Sequence, residues 1–205
     1  LTPGSTLYCV VVSDAACPAG SFNPDQLLQY STTINGKGAN LRGVELALQL
    51  PFSVFSDSLS SFGFLGNMTF VDSDVEYSIN GPRVLNSTNT GLTNAPATIY
   101  TRPLLGLAKK SWNATVYYDD GKFSLRSSVA YRSSYNDGTS GNNNIFEGYG
   151  SSLNVDASIR YKFSDAFEVS LEGTNLTDDY RYRYADDLAR RNYENNHYGR
   201  TFLFG

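Results

Sequence analysis

The chain has one histidine, one methionine, one tryptophan and two cysteines in 205 residues. With His197 alone and only Cys9 and Cys17 beside it as soft ligands, a zinc site lacks donors. No G-x-S-x-G or comparable nucleophile setting occurs, so hydrolysis has no support and no residue is assigned to catalysis or to a cofactor. Charged residues are 18%, and the net charge of −4 with a pI near 4.9 leaves no basic stripe for nucleic acid. The longest apolar run, Leu7–Val12, is six residues, far short of the roughly 18 a membrane helix needs. That excludes a helical span but not a barrel, whose strands show only half their residues to lipid. A helical period of 3.6 is also missing. Only Asp186–Arg191 could form one short helical turn.

What the chain has instead is alternation. In Ser152–Phe163, Leu153, Val155, Ala157, Ile159, Tyr161 and Phe163 fall on one parity, and Ser152, Asn154, Asp156, Ser158, Arg160 and Lys162 on the other. Successive strand residues point to opposite faces, so one side is apolar and the other wet. The run is also long. A globular strand averages about five or six residues, whereas a tilted strand crossing a bilayer needs about nine to eleven. The pattern recurs in Phe123, Leu125, Val129 and Tyr131, in Phe167, Val169 and Leu171, and in Trp112, Ala114, Val116 and Tyr118. It recurs upstream in Val44, Leu46, Leu48 and Leu50, and more weakly in Phe64, Gly66, Met68 and Phe70, where Leu65 interrupts the polar parity. The expected class is all-β.

The connections alternate between short and long. Asp119-Asp120-Gly121 and Ser164-Asp165-Ala166 read as tight turns, and Ser53–Ser61 as a slightly longer one. Between them lie long polar excursions over 74–103, 136–150 and 178–198. Short turns at one rim and long loops at the other are the rhythm of a transmembrane barrel. A soluble lipocalin-like barrel has the same period with its apolar side inside, so parity alone leaves both open. Three features favour lipid outside: strand length, aromatics near strand ends (Tyr117, Tyr118, Tyr131, Tyr135, Tyr161, Phe163, Phe167), and a polar face carrying Arg126, Arg160, Glu168 and Glu172. An Arg facing lipid at mid-bilayer costs about 2–4 kcal/mol, but in a wet lumen it stays hydrated. An apolar belt flanked by tyrosines is therefore expected. Cys9 and Cys17 read either as a disulfide in an oxidising compartment or as two free thiols. The barrel pattern favours the disulfide.

Smaller motifs have bland readings. Asn67, Asn86, Asn113 and Asn175 begin N-x-[ST] sequons, but three lie in or beside strands and read as coincidence. Asp72, Asp74 and Glu76 could supply oxygen ligands to calcium, but solvated carboxylates at a loop entrance are the better reading. His197 reads as a loop residue. Asp178, Asp179, Asp186 and Asp187 beside Arg181, Arg183, Arg190 and Arg191 read as a salt-bridged loop, with Tyr180, Tyr182, Tyr184 and Tyr193 able to stack on a ligand. Tyr182, Tyr184, Arg190 and Tyr193 are the candidate substrate contacts.

The tail carries a resemblance. Glu172-Gly173-Thr174-Asn175-Leu176-Thr177-Asp178-Asp179-Tyr180, then Tyr198-Gly199-Arg200-Thr201-Phe202, resembles the C-terminal end of TonB-dependent outer-membrane receptors. Asn35–Phe52 looks like that family's G-x-E strand and Phe123–Tyr135 its Y-R-S strand, in the same order. The resemblance implies an antiparallel transmembrane barrel of about 22 strands around a plug. Residues 1–205 would supply one piece of it, about its last seven strands: 28–51, 62–77, 104–118, 122–135, 151–163, 167–184 and 198–205. The plug and the TonB-box that meets the energy-transducing TonB protein would lie elsewhere, because the chain opens without Met or leader and reads as part of a longer protein. The implied function is uptake of a scarce nutrient, such as a siderophore or carbohydrate, across a Gram-negative outer membrane, amid lipid and lipopolysaccharide. The long loops and Cys9–Cys17 would then face outward and the short turns the periplasm. A small complete barrel serving as an adhesin, or a soluble ligand-binding barrel, are the alternatives.

Overall fold

The computed structural model describes residues 38–88 and 91–205. Cys9, Cys17 and the start of the first expected strand lie outside the described residues. In chain order the strands are β1 (Asn40–Pro51), β2 (Phe62–Ile79), β3 (Arg83–Leu85), β4 (Leu92–Asn94), β5 (Thr98–Arg102), β6 (Lys110–Asp119) and β7 (Phe123–Arg132). They continue with β8 (Tyr135–Thr139), β9 (Phe146–Tyr149), β10 (Ser152–Ser164), β11 (Phe167–Thr174), β12 (Arg181–Ala185), β13 (Arg191–Asn196) and β14 (Thr201–Phe204).

A single antiparallel wall runs β1-β2-β6-β7-β10-β11-β14, with β5 pairing the upper half of β2. Six of these path strands are the ones the alternation marks, and the seventh, β14, is the final strand that the resemblance of the tail implies. The ladder keeps parity across every seam. Leu46, Met68, Trp112, Tyr131 and Leu153 stand in one row, and Tyr118, Leu125, Ile159, Leu171 and Phe204 in another. Because side chains alternate with period 2, this register puts the alternating apolar residues on one face, with Leu65 and Leu203 among the exceptions on the polar parity. Among the described residues nothing covers that face. Leu125, Leu153 and Ile159 are 40%, 40% and 41% exposed, and Val169 lies opposite Tyr161, half-buried by neighbours in its own sheet. These side chains do not converge on one another inside a closed body, as a soluble barrel requires.

The belt has bounds. Near the short turns Phe62 meets Tyr118 at 4.7 Å, Tyr161 meets Phe163 at 4.7 Å and Phe163 meets Phe167 at 5.5 Å. At the other rim Trp112 stacks on Tyr131 at 5.7 Å and 25°. Eight residue steps from Phe123 to Tyr131 span about 27 Å along the strand. A tilt of about 40° reduces this to about 21 Å, close to the apolar band of about 25 Å in outer-membrane barrels. The polar face carries its own bonds: Arg160 to Glu168 at 3.2 Å, Asn113 to Asn67 at 3.0 Å, and Thr115 to Ser128 at 2.9 Å.

The turns are built as their residues dictate. Gly121 takes φ +84 in the β6–β7 hairpin, Asp119 accepts its N–H at 2.8 Å, and Asp120 accepts from Lys122 and Phe123. The N–H groups of Phe123 and Lys122, with the Tyr118 hydroxyl, hold the Asp120 carboxyl below its ordinary pKa. That contribution is present above the usual carboxylate range and is lost as pH falls through the lowered value. Phe52–Val54 and Asp57–Leu59 form two 3-10 turns between β1 and β2.

Several expected boundaries move. The stretch 167–184 is two strands in different sheets, because Asn175 and Asp178 take left-handed φ values of +53 and +57 and turn the chain after Thr174. Residues 104–109 are a turn around Gly106 at φ +80, so the third strand begins at Lys110. Asp186–Arg191 contains a turn and no helix. Asp186 caps Leu188 and Ala189, and positive φ at Asp186 and Arg190 stops propagation. The long excursions also fold. β8, β9, β12 and β13 form a four-stranded outer sheet in the order β13-β12-β9-β8, and β3 and β4 form a hairpin.

Candidate nutrient-contact site at the long-loop rim

Where β11 ends, the Asn175-Leu176-Thr177-Asp178-Asp179 stretch forms a clasp. The Asn175 amide donates to the carbonyls of Asp179 and Gly199, both at 3.0 Å, and its oxygen accepts the Asp179 N–H at 2.9 Å. Leu176 N–H reaches Val155 O at 2.7 Å, Thr177 Oγ1 reaches Leu153 O at 2.7 Å, and Asp179 accepts the Leu153 N–H at 2.7 Å. Arg200 donates to Leu176 O at 3.0 Å and pairs with Asp178 at 3.8 Å. His197 Nε2 lies 3.0 Å from Asp178 Oδ1. One short motif therefore ties β10, β11 and the lead-in to β14. The sequon at Asn175 is a structural bracket, which its local sequence alone does not disclose.

Beside the clasp, on the parity of the polar face, opens a hollow of about 370 Å³ reached by Arg132, Tyr149, Asn154, Tyr180, Arg181 and Tyr198. Arg181 lies 3.9 Å over the Tyr149 ring and Arg132 3.9 Å over Tyr135. Neither arginine has an acidic partner among the described residues. Arg183, by contrast, is committed: Asp137 at 3.4 Å, Glu194 at 3.7 Å and Glu147 at 3.9 Å surround it, with Tyr149 and Tyr193 against its faces. Burial opposes its charge, but Asp137, Tyr149, Tyr193 and Glu194 hold its pKa above the ordinary value. Burial, then Glu147, raises the Tyr193 phenol.

The four candidate contacts separate. Tyr184 is interior at 2% exposed, its hydroxyl on Asn136 at 2.8 Å. Tyr182 is half-buried with its ring over Gly150, and Tyr193 stands 50% exposed. Arg190 leans toward the Tyr184 ring at 5.4 Å and lines a different cleft. Asp72 pairs with Lys109 at 2.9 Å, and no carboxylate or histidine group able to hold a metal occurs among the described residues. Sequence reasoning missed Arg132 and Arg181 as a pair. Arg132 ends a wall strand and Arg181 opens an outer one, so only the fold brings them together.

Gly148 shows how tightly the outer sheet is closed. A Cβ there would run into the Tyr135 carbonyl and sit 2.6 Å from the Tyr184 hydroxyl. Gly148→Val should therefore destabilise the outer sheet by about 2 kcal/mol, the scale of overpacking. Hydrogen exchange should speed up in β8, β9 and β12 and stay unchanged in β6, β7 and β10.

An apolar belt left open by the described residues, lying between aromatic rows, with a polar opposite face and folded loops at one rim, defines the wall of a membrane-type barrel receptor. The chain belongs to the TonB-dependent receptor β-barrel family: the family model described as TonB dependent receptor-like, beta-barrel matches residues 9–176. That match ends at Leu176, inside the clasp. Among solved structures, the siderophore receptor PiuA from Acinetobacter baumannii is similar, with TM-score 0.52 and 16% identity, over 81% of this chain and 21% of that one. The chain thus spans about a fifth of that structure's length and shares its fold. No curated protein matches.

Proposed function

We propose that the chain is the C-terminal wall of a TonB-dependent receptor in the outer membrane of a Gram-negative bacterium, binding a scarce nutrient and importing it with energy delivered through TonB. It binds and conducts rather than catalyses. TonB would engage a region of the whole receptor outside these residues, and surrounding lipid and lipopolysaccharide would meet the apolar face. The observation that carries the nutrient reading is the pair of arginines without acidic partners, Arg132 and Arg181, each seated on a tyrosine at the long-loop rim. Such a surface suits a ligand with anionic groups and flat rings, the chemistry of a catecholate-type siderophore, and the similar structure is named as a siderophore receptor. Tyr182 and Tyr193 are the adjoining contacts.

In cells expressing the full-length receptor, uptake of a labelled ferric siderophore should depend on TonB. Arg181→Ala should weaken binding about tenfold, the scale of a partly desolvated cation–π and ionic contact, and leave the barrel assembled. Equal uptake with and without TonB would overturn the import reading.

A further inference from the structure

The apolar face is interrupted at one place. Gly66 lies opposite Leu48 and Ala114, so two small residues sit side by side where neighbouring rows carry large ones. Around them Leu46, Leu48, Phe64, Met68 and Trp112 stand as walls, leaving a groove of about 310 Å³ with almost wholly apolar lining. Its upper end is the Trp112–Tyr131 stack. Immediately above, at the long-loop rim, a second hollow of about 420 Å³ is lined by Lys110, Tyr131, Ser133, Lys109, Arg102 and Arg190. Lys110, Tyr131 and Ser133 share the parity of the apolar face, and Lys110 is two residues from Trp112 on the same strand.

The charges in the upper hollow are unevenly spent. Lys109 is held by Asp72 at 2.9 Å and Arg102 by Asp187. Lys110 and Arg190 form no ion pair among the described residues. Two cations without ion-pair partners among the described residues therefore line the hollow above the apolar groove, with the aromatic stack between hollow and groove: Lys110 stands on the parity of the face that meets lipid, and Arg190 reaches in from the turn between β12 and β13.

We propose that this groove and its cationic crown form a discrete site for one phosphorylated, acylated lipid of the outer leaflet. An acyl chain lies along Gly66 and Ala114, and the phosphate meets Lys110 and Arg190. From Lys110 to Ala114 is four strand residues, about 13 Å, so an ordinary acyl chain reaches from crown to groove floor. Moving a chain from bilayer to groove gains little hydrophobic energy, because lipid tails are already apolar. Affinity therefore resides in the phosphate, and the groove selects shape and prolongs residence. This inference rests on the membrane reading above, though not on which nutrient is carried.

The test uses the full-length receptor reconstituted in phosphatidylethanolamine vesicles containing lipid A, extracted gently, with retained lipids counted by native mass spectrometry. Lipid A should be retained over phosphatidylethanolamine. Lys110→Glu should reduce retention at least about fivefold, the scale of one surface cation at an anionic headgroup. Ala114→Phe, which fills the groove, should shorten retention with every charge intact. Dephosphorylated lipid A should be lost, and excess inorganic phosphate should leave the count unchanged. Equal retention of phosphatidylethanolamine, or full retention in both variants, would overturn the site. If TonB-dependent uptake persists in that case, the transport reading stands by itself.

Discussion

Asn175→Ala should strongly destabilise the junction of β10, β11 and β14. It deletes three side-chain hydrogen bonds, each worth about 1 kcal/mol net. It also places a Cβ-bearing residue without an amide at φ +53, where L-residues other than Asn, Asp and Gly are strained by about 1–2 kcal/mol. The expected loss is about 4 kcal/mol, read as a lower urea midpoint for the vesicle-inserted receptor. Asn175→Gly separates the two causes. Glycine relieves the backbone strain but restores no hydrogen bond, so its midpoint should fall between the wild type and the alanine variant. If the two variants have equal midpoints, the left-handed conformation contributes nothing.

Ala157→Arg and Ser158→Arg should differ sharply although they are adjacent. Ala157 lies midway between Leu153 and Tyr161, in the row Leu50–Phe64–Val116–Ser127–Ala157, at the centre of the apolar face. An arginine there faces hydrocarbon and costs about 3 kcal/mol, whereas near the aromatic rows the same change costs at most about 1 kcal/mol. Ser158 faces the polar side, opposite Arg126 and Glu172, and should tolerate the change within about 0.5 kcal/mol. Refolding into vesicles measures both. Equal penalties at 157 and 158 would mean that neither face meets lipid.

The wall was legible because each long strand carries many repetitions of one simple rule. Ser152–Phe163 alone fixes which side chains share a face, and pairing it with Phe123–Tyr131 only confirms that the neighbouring strands obey the same parity. The outer sheet was not legible. Its strands are four to six residues long, and Arg181–Ala185 alternates arginine with tyrosine, which reads the same whether it continues β11 or starts anew. What decides is the pair of left-handed residues at 175 and 178, and their reason is the web of bonds to Val155, Leu153 and Gly199, far away in sequence. Of the candidate contacts, tyrosine parity could not distinguish the enclosed Tyr184 from the open Tyr193, because polar and aromatic residues lie on both sides of that sheet. The lipid groove was likewise hidden. Gly66 and Ala114 are 48 positions apart, and only the register places one beside the other.

The outer sheet draws two strands from the excursion after β7 and two from the excursion after β11, joined where β9 meets β12. Neither excursion can then drift independently in a lineage. A new sequence in one strips hydrogen-bond partners from the other, so a shift in what this rim captures calls for matched changes in both, or for exchange of the two as a unit.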